Sequence, residues 1–387
     1  MTFNLSGYHI AFKDRVIGST KVVSHFGQYD VNDVIYNENT SQFLGVTGHG
    51  DFIEYKYYHK KLAQAYADLQ YSFPQSEINI TSYTRDYNKM VVNVSSIHNQ
   101  DEFYFYDAKK FEIQKIAEAF PKVSEIIKSI AIQKIEYKAQ DGTLIDSYFT
   151  TPAIAKGKEK PPLIVLPHGG PRSRDTIAFD WMRQFYLVNG YAVFQPNFRG
   201  STGRGKEFRD AGDGEWGRLM QQDVDDGVDE LIKQGLVDAN RICVVGASYG
   251  GYVALYAATT NYKRYRCAVS VAGVSDLDDL FYHAKEQKQF VEYWEDSLGK
   301  RTEQSTLKAY SPLFLVTENT APILLLHGTE DTVVPIFQST NMYKALKKVL
   351  PEQSELIKLE GEDHWFSLGK SRKVFLQESL AFIQKHI

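Results

Sequence analysis

From Arg241 to Thr259 the chain reads RICVVGASYGGYVALYAAT, and no other stretch limits the fold so strongly. The apolar run RICVVGA has the composition of a buried strand, and YGGYVALYAAT is helical. The two meet at Gly246-Ala247-Ser248-Tyr249-Gly250, a G-x-S-x-G pattern. A strand that turns at once into a helix, with serine at the turn, is the geometry of a nucleophile elbow. The backbone at such a serine is strained, and the residues two before and two after it approach each other. Glycine at 246 and 250 avoids a Cβ clash there. Gly251 lets the helix pack close to the sheet.

The surrounding pattern supplies the sheet. IQKIEYKAQDGTLIDSYFTTP reads as a hairpin around Asp141-Gly142. Strand and helix patterns then alternate: PPLIVLPHGG, FDWMRQFYLVNG, YAVFQPNF, QDVDDGVDELIKQG, RICVVGA, and so on to the final helix SRKVFLQESLAFIQKHI. Alternation of this kind predicts an α/β domain, a mostly parallel doubly wound sheet covered by helices on both faces. Residues 1 to about 125 differ. GYHIAFKD, VIGSTKVVSHFG, NDVIYNE and SQFLGVTGHG are short alternating runs between turn residues. One helix, with Leu62, Ala65, Tyr66 and Leu69 on one face, interrupts them, and KMVVNVSSIH and DEFYFYDAKK add strands. The rhythm is that of a partial β-propeller, with room for roughly two or three blades where closed propellers use 4 to 8. The expected domains are 1–128, small and mostly β, and 129–387, with the α/β-hydrolase fold.

Composition narrows the function. A chain of 387 residues with net charge −4 advertises no basic surface for nucleic acid. No apolar run approaches the ~18 residues that span a membrane. The start, MTFNLSGYHIAFKDR, lacks a basic segment followed by an apolar one, so a cytoplasmic location is expected. Cys243 and Cys267 both lie in apolar strands and read as buried free thiols, with a single structural disulfide as the unsupported alternative; no metal-ligand spacing appears, and no cofactor is expected. GSTGRGKE, at 200–207, nearly matches a phosphate loop, but Glu207 replaces the magnesium-binding hydroxyl and would repel phosphate. Asp223, Asp225, Asp226 and Asp229 do not match a calcium loop and read as a solvated helix N-terminus.

A serine hydroxyl needs a base, and the base an orienting acid. In this fold the chain order is Ser, Asp or Glu, then His. Four histidines follow Ser248. His386 is penultimate and reads as solvated, and His283 lies in a polar helical region. His327 closes the strand APILLLHG and is expected to support the next loop. His364, in LEGEDHWFS just past the last strand, is the candidate base. HGTEDTVVP offers Glu330 and Asp331 as the acid, and Asp331 is preferred. The main-chain N–H of Tyr249 and one from HGGPRSRD, assigned to Gly170, would receive an oxyanion.

Together these pieces resemble the prolyl oligopeptidase family of serine peptidases, nearest its acylaminoacyl-peptidase-like branch. The resemblance rests on HGGP (168–171), NFRGSTGRG (197–205), GEWG (214–217), GASYGGY (246–252), HGTEDTVVP (327–335) and GEDHWF (361–366). It implies Ser248 as nucleophile, Asp331 as acid, His364 as base, and Gly170 and Tyr249 amides as the oxyanion hole. Residues about 41–120 also resemble the last propeller blades of such enzymes. Members carry a complete propeller, whereas about 125 residues precede the hydrolase here, which leaves sheet edges that invite a homo-oligomer. The expected substrate is a peptide or small acyl compound. Phe281, Tyr282, Tyr293 and Trp294, with Trp365 and Phe366 beside the base, would line its pocket or pack a helical excursion. Three readings stay open: a peptidase that also cleaves small esters, an esterase proper, and a binding module on a hydrolase fold.

Overall fold

The computed structural model describes residues 29–121, 131–152, 159–287, 291–299 and 307–387, and the backbone alone of 2–6, 9–13, 20–25 and 304–306. Two compact units form. The first comprises residues 1–132, 176–184 and 202–209, and the second 133–175, 185–201 and 210–387. The boundary expected at 128/129 falls among 122–130, outside the described residues, as do 7–8, 14–19 and 26–28 of the first predicted strands.

The first unit holds three antiparallel sheets. One contains β1 (Thr2–Ser6), β2 (His9–Lys13) and β3 (Thr20–His25); the next contains β4 (Val31–Tyr36), β5 (Phe43–His49) and β6 (Ile53–Tyr57). Helix α1 (Lys60–Ser72) leads to a four-stranded blade of β7 (Glu77–Tyr83), β8 (Lys89–Ser95), β9 (Glu102–Asp107) and β10 (Glu112–Glu118), paired in the order β10-β9-β8-β7. Leu62, Ala65, Tyr66 and Leu69 recur every three or four residues, so α1 buries one stripe against Ile78, Val92 and Tyr106. The glycine-rich loop 200–207 does hold an anion, though not a phosphate. The N–H groups of Gly203 and Gly205 donate to the carboxylate of Asp30 at 3.1 and 2.8 Å.

The second unit is the α/β-hydrolase fold. In chain order the elements from here are β11 (Ala131–Lys138), β12 (Leu144–Thr151), β13 (Leu163–Val165), α2 (Trp181–Val188), β14 (Ala192–Asn197), α3 (Lys206–Asp210), α4 (Leu219–Lys233), β15 (Ile242–Ala247), α5 (Tyr249–Thr260) and β16 (Cys267–Val271), of which residues 181–184 of α2 and 206–209 of α3 are counted with the first unit. A helical excursion follows, with α6 (Leu277–Glu286), α7 (Val291–Leu298) and α8 (Gln304–Ala309). The chain then runs through β17 (Ile323–Gly328), α9 (Phe337–Val349), β18 (Ser354–Leu359) and α10 (Gly369–His386). Eight strands pair in the order β11-β12-β14-β13-β15-β16-β17-β18, parallel from β14 onward. Every residue of β13, β14, β16 and β17 is buried, which is why these strands read as continuous rather than alternating apolar runs.

Three expectations need correction. Cys243 and Cys267 are not free thiols. They are register partners on β15 and β16, and a disulfide joins them. The acidic cluster is not a solvated helix N-terminus. Helix α4 begins at Leu219, so Asp223 sits in its second turn with no exposure at all, its carboxylate bonded to the Arg199 guanidinium at 2.6 and 2.8 Å. Burial pushes the Asp223 pKa up while Arg199 pulls it back. Asp225 is half-buried, bonded to the Tyr265 hydroxyl and to Asn261. His386 is half-buried against Phe382, with ring centroids 4.6 Å apart.

Candidate active site

The elbow forms where the sequence places it. Ser248 has φ +57° and ψ −119°, a left-handed conformation that a non-glycine residue adopts at a cost of about 1–3 kcal/mol. Its N–H donates to Val271 O at 2.9 Å and its carbonyl accepts from Tyr252 N at 3.0 Å, so the strained residue is bonded on both sides. The glycines around it are sterically required. A Cβ at Gly246 would stand 2.3 Å from the Gly250 backbone, and one at Gly250 would stand 2.2 Å from Pro167 O. One at Gly251 would meet Gly273 Cα at 2.7 Å, which is the close helix–sheet contact expected of that glycine.

The loop after β13 crosses directly above this turn. A Cβ at Gly169 would come within 3.5 Å of Ser248 Cβ. Tyr249 is the first residue of α5, so its N–H has no acceptor within the helix. Gly170 has φ +123°, and its carbonyl accepts from the Tyr293 hydroxyl at 3.1 Å. Arg172 extends the support: it bonds both carboxylate oxygens of Asp213 at 2.9 Å and lies over the Tyr293 ring. His168 Nδ1 faces Gly169 O at 2.7 Å, and because a carbonyl only accepts, Nδ1 carries the proton. Burial pushes the His168 pKa down to about 4, against the pull of that carbonyl.

Asp331 and His364, the expected acid and base, stand on the loops after β17 and β18, at the same rim. His364 Nδ1 is 2.7 Å from Asp331 Oδ2. A carboxylate in this pair accepts, so Nδ1 bears hydrogen and Nε2 presents its lone pair. The other Asp331 oxygen accepts the N–H groups of Val333 and Val334, both at 2.9 Å. Burial raises the pKa of Asp331, but hydrogen bonds from His327 and His364 outweigh it and hold the carboxyl well below its usual range. His327 supports the loop as expected, its Nε2 donating to Val334 O at 2.8 Å and its Nδ1 accepting from Ser339 at 2.7 Å. Glu330 is exposed. Among the described residues no hydrogen bond closes the gap from the Ser248 hydroxyl to the His364 ring.

Two features escaped sequence reasoning. The Asp331 and His364 loops are zipped together: Thr329 N donates to Leu359 O, Glu330 N to Glu362 O, and Gly361 N to Thr329 Oγ1. Gly328 permits this approach, since a Cβ there would stand 2.3 Å from Glu362 O. The second is an aromatic cluster behind the elbow. Trp216 packs edge-on to Tyr249 at 4.4 Å, and Phe198, Tyr252 and Trp294 complete it. Of the expected pocket residues, Trp294 is buried in this cluster and Tyr293 stands beside the Gly170 loop. Phe281 lies buried on α6, which packs on α7. Trp365 is 77% exposed, edge-on to the His364 ring at 5.4 Å.

Known proteins give this arrangement its context. The chain is 31% identical over 312 residues to a dipeptidyl peptidase family member 6 of Caenorhabditis elegans, spanning 73% of this chain and 42% of that protein. It is 31% identical over 315 residues to dipeptidyl aminopeptidase BIII of Pseudoxanthomonas mexicana, spanning 77% and 45%. The chain therefore matches less than half the length of these relatives. A puromycin-hydrolyzing peptidase of Mycobacterium tuberculosis superposes with a TM-score of 0.81 at 20% identity, over 99% of this chain and 60% of that one. The fold is thus shared well beyond sequence similarity. The family model for the prolyl oligopeptidase family matches residues 177–387, and with the relatives above it establishes that this chain belongs to the prolyl oligopeptidase family.

Proposed function

We propose that this chain is the catalytic part of a serine peptidase that cleaves acyl bonds through an acyl-enzyme. Ser248 attacks the carbonyl, and His364 Nε2 takes its proton. The N–H groups of Gly170 and Tyr249 receive the developing oxyanion, each such donor being worth about 3 kcal/mol. His364 then protonates the leaving group, and water repeats the cycle through the same base. Asp331 fixes the tautomer and stabilises the imidazolium. The observation that carries this reading is the 2.7 Å Asp331–His364 bond, which leaves Nε2 as a base on the rim where Ser248 stands at a strained turn. The open Ser248–His364 contact closes when substrate binds, as catalytic hydrogen bonds commonly tighten in the Michaelis complex.

The substrate is a peptide or acyl-peptide amide, with small esters as secondary substrates. Trp365 and Tyr293 offer apolar surface to the acyl or side-chain portion, and the named relatives are dipeptidyl peptidases. The test is labelling of Ser248 by a fluorophosphonate probe, followed by turnover of acyl-peptide anilides against short-chain nitrophenyl esters. Labelling with anilide turnover is expected. Ester turnover alone makes the protein an esterase, and failure to label makes it a binding module. A homo-oligomer through open sheet edges belongs to the proposal, and a concentration-independent monomer mass by light scattering refutes it. Among the described residues no helix is long and apolar enough to cross a membrane. A cytoplasmic location is the remaining part; the Cys243–Cys267 bridge favours an oxidising compartment instead, and thiol titration of chain taken from its source cells separates the two.

A further inference from the structure

The loop that carries His364 is built around a second carboxylate that plays no part in the chemistry above. Glu362 has no solvent exposure. Its Oε1 accepts the N–H of Asp363 at 3.1 Å and of Leu368 at 3.3 Å, and its Oε2 accepts the same Leu368 N–H at 3.2 Å. One buried side chain therefore ties the first residue of the turn to the last, with His364 between them. The carbonyl of Glu362 accepts Glu330 N–H at 3.0 Å, so this residue also fastens the base loop to the acid loop next to Asp331. Asp363 braces the same turn from its solvent side, accepting from Trp365 N at 2.9 Å and from the Ser367 hydroxyl at 2.7 Å. The turn needs such ties because Phe366 sits in the left-handed region at φ +56°.

We propose that Glu362 is a positioning residue for the base. Its buried carboxylate holds the 363–368 turn in the one conformation that keeps His364 on Asp331 and turns Nε2 toward the nucleophile. A buried carboxylate is costly unless its lone pairs are occupied, and main-chain N–H groups occupy them here. This inference rests on His364 being the base.

The experiment compares Glu362→Ala and Glu362→Gln in the wild-type and His364→Ala backgrounds, measuring kcat, KM, the rate of fluorophosphonate labelling and Tm. Glu362→Ala is expected to lower kcat about 10–100-fold with KM within about twofold, and to slow labelling in parallel. Glu362→Gln keeps the Oε1 acceptor and should recover part of the loss. In the His364→Ala background, removing Glu362 should change the residual rate no further, because it acts through the histidine. Unchanged kcat in either folded variant overturns the proposal, as does an equal further loss in the His364→Ala background. Should Glu362→Ala fail to fold, the Gln variant decides alone: a kcat drop with unchanged KM supports the proposal, and an unchanged kcat sinks it. If His364→Ala itself keeps full activity, it is the assignment of the base that fails.

Discussion

The two sides of the candidate site are held by different physics. On the nucleophile side, position is enforced by exclusion: Gly246, Gly250 and Gly251 have no room for a single carbon, and Ser248 is pinned at φ +57° between β15 and α5. On the base side, position is enforced by bonding: Asp331, His327, Glu362 and the Thr329–Gly361 zipper supply a web of hydrogen bonds on two loops. Packing tolerates no substitution but keeps its shape when a polar group is lost. A bonded web tolerates substitution of volume but depends on protonation and on every partner. The elbow should therefore fail by unfolding, and the base side by losing rate.

The largest effect tests the shared chemistry. Ser248→Ala should lower kcat on the order of 10⁶-fold and abolish fluorophosphonate labelling while leaving the melting temperature nearly unchanged. Asp331→Asn comes next. It keeps the shape of the web but offers the wrong hydrogen-bond pattern to His364, so kcat should fall about 10⁴-fold in a chain that still folds. A loss under tenfold would break the comparison on its base side. Gly250→Ala is expected to do the reverse, costing about 1–3 kcal/mol of stability or more as Pro167 O is pushed away, readable as a lower denaturant midpoint. Normal stability in that variant would show that the elbow is not sterically fixed. The last test is a pH dependence at His168. Its folded pKa of about 4 lies below that of an ordinary imidazole, so the unfolded chain binds the extra proton first. Stability is then full above about pH 6.5 and declines as pH falls toward 4. Thermal melts should show this slope, and His168→Gln should flatten part of it.

How much of this could be read in the residues depends on how local each feature is. The elbow was legible because strand, turn and helix are contiguous and each glycine answers a clash within a few positions. Asp331 and His364 could be singled out because the fold fixes the order of the candidates and few histidines follow Ser248, and a 2.7 Å bond brings the two together. The zipper at Gly328 and Glu362 was not, because it is a meeting of two backbones from different loops and leaves no periodic trace. The Cys243–Cys267 bridge was missed for a related reason: composition placed both residues in buried strands, but only the lateral register of β15 on β16 sets them opposite each other. Asp223 was misread because its partner, Arg199, arrives from the end of another strand; taken alone, an aspartate in an acidic helix looks like surface.

The Asp30 carboxylate in the loop 200–207 has a consequence for any soluble anion that approaches there. The two amides that a phosphate would seek are already occupied by a group that cannot diffuse away. A tethered competitor acts at an effective concentration on the order of millimolar or higher, so nucleotides at cellular levels must displace a resident that is always at home. Asp30→Ala vacates that seat, yet Glu207 still stands where the motif needs a hydroxyl, so the string of glycines stays closed to phosphate.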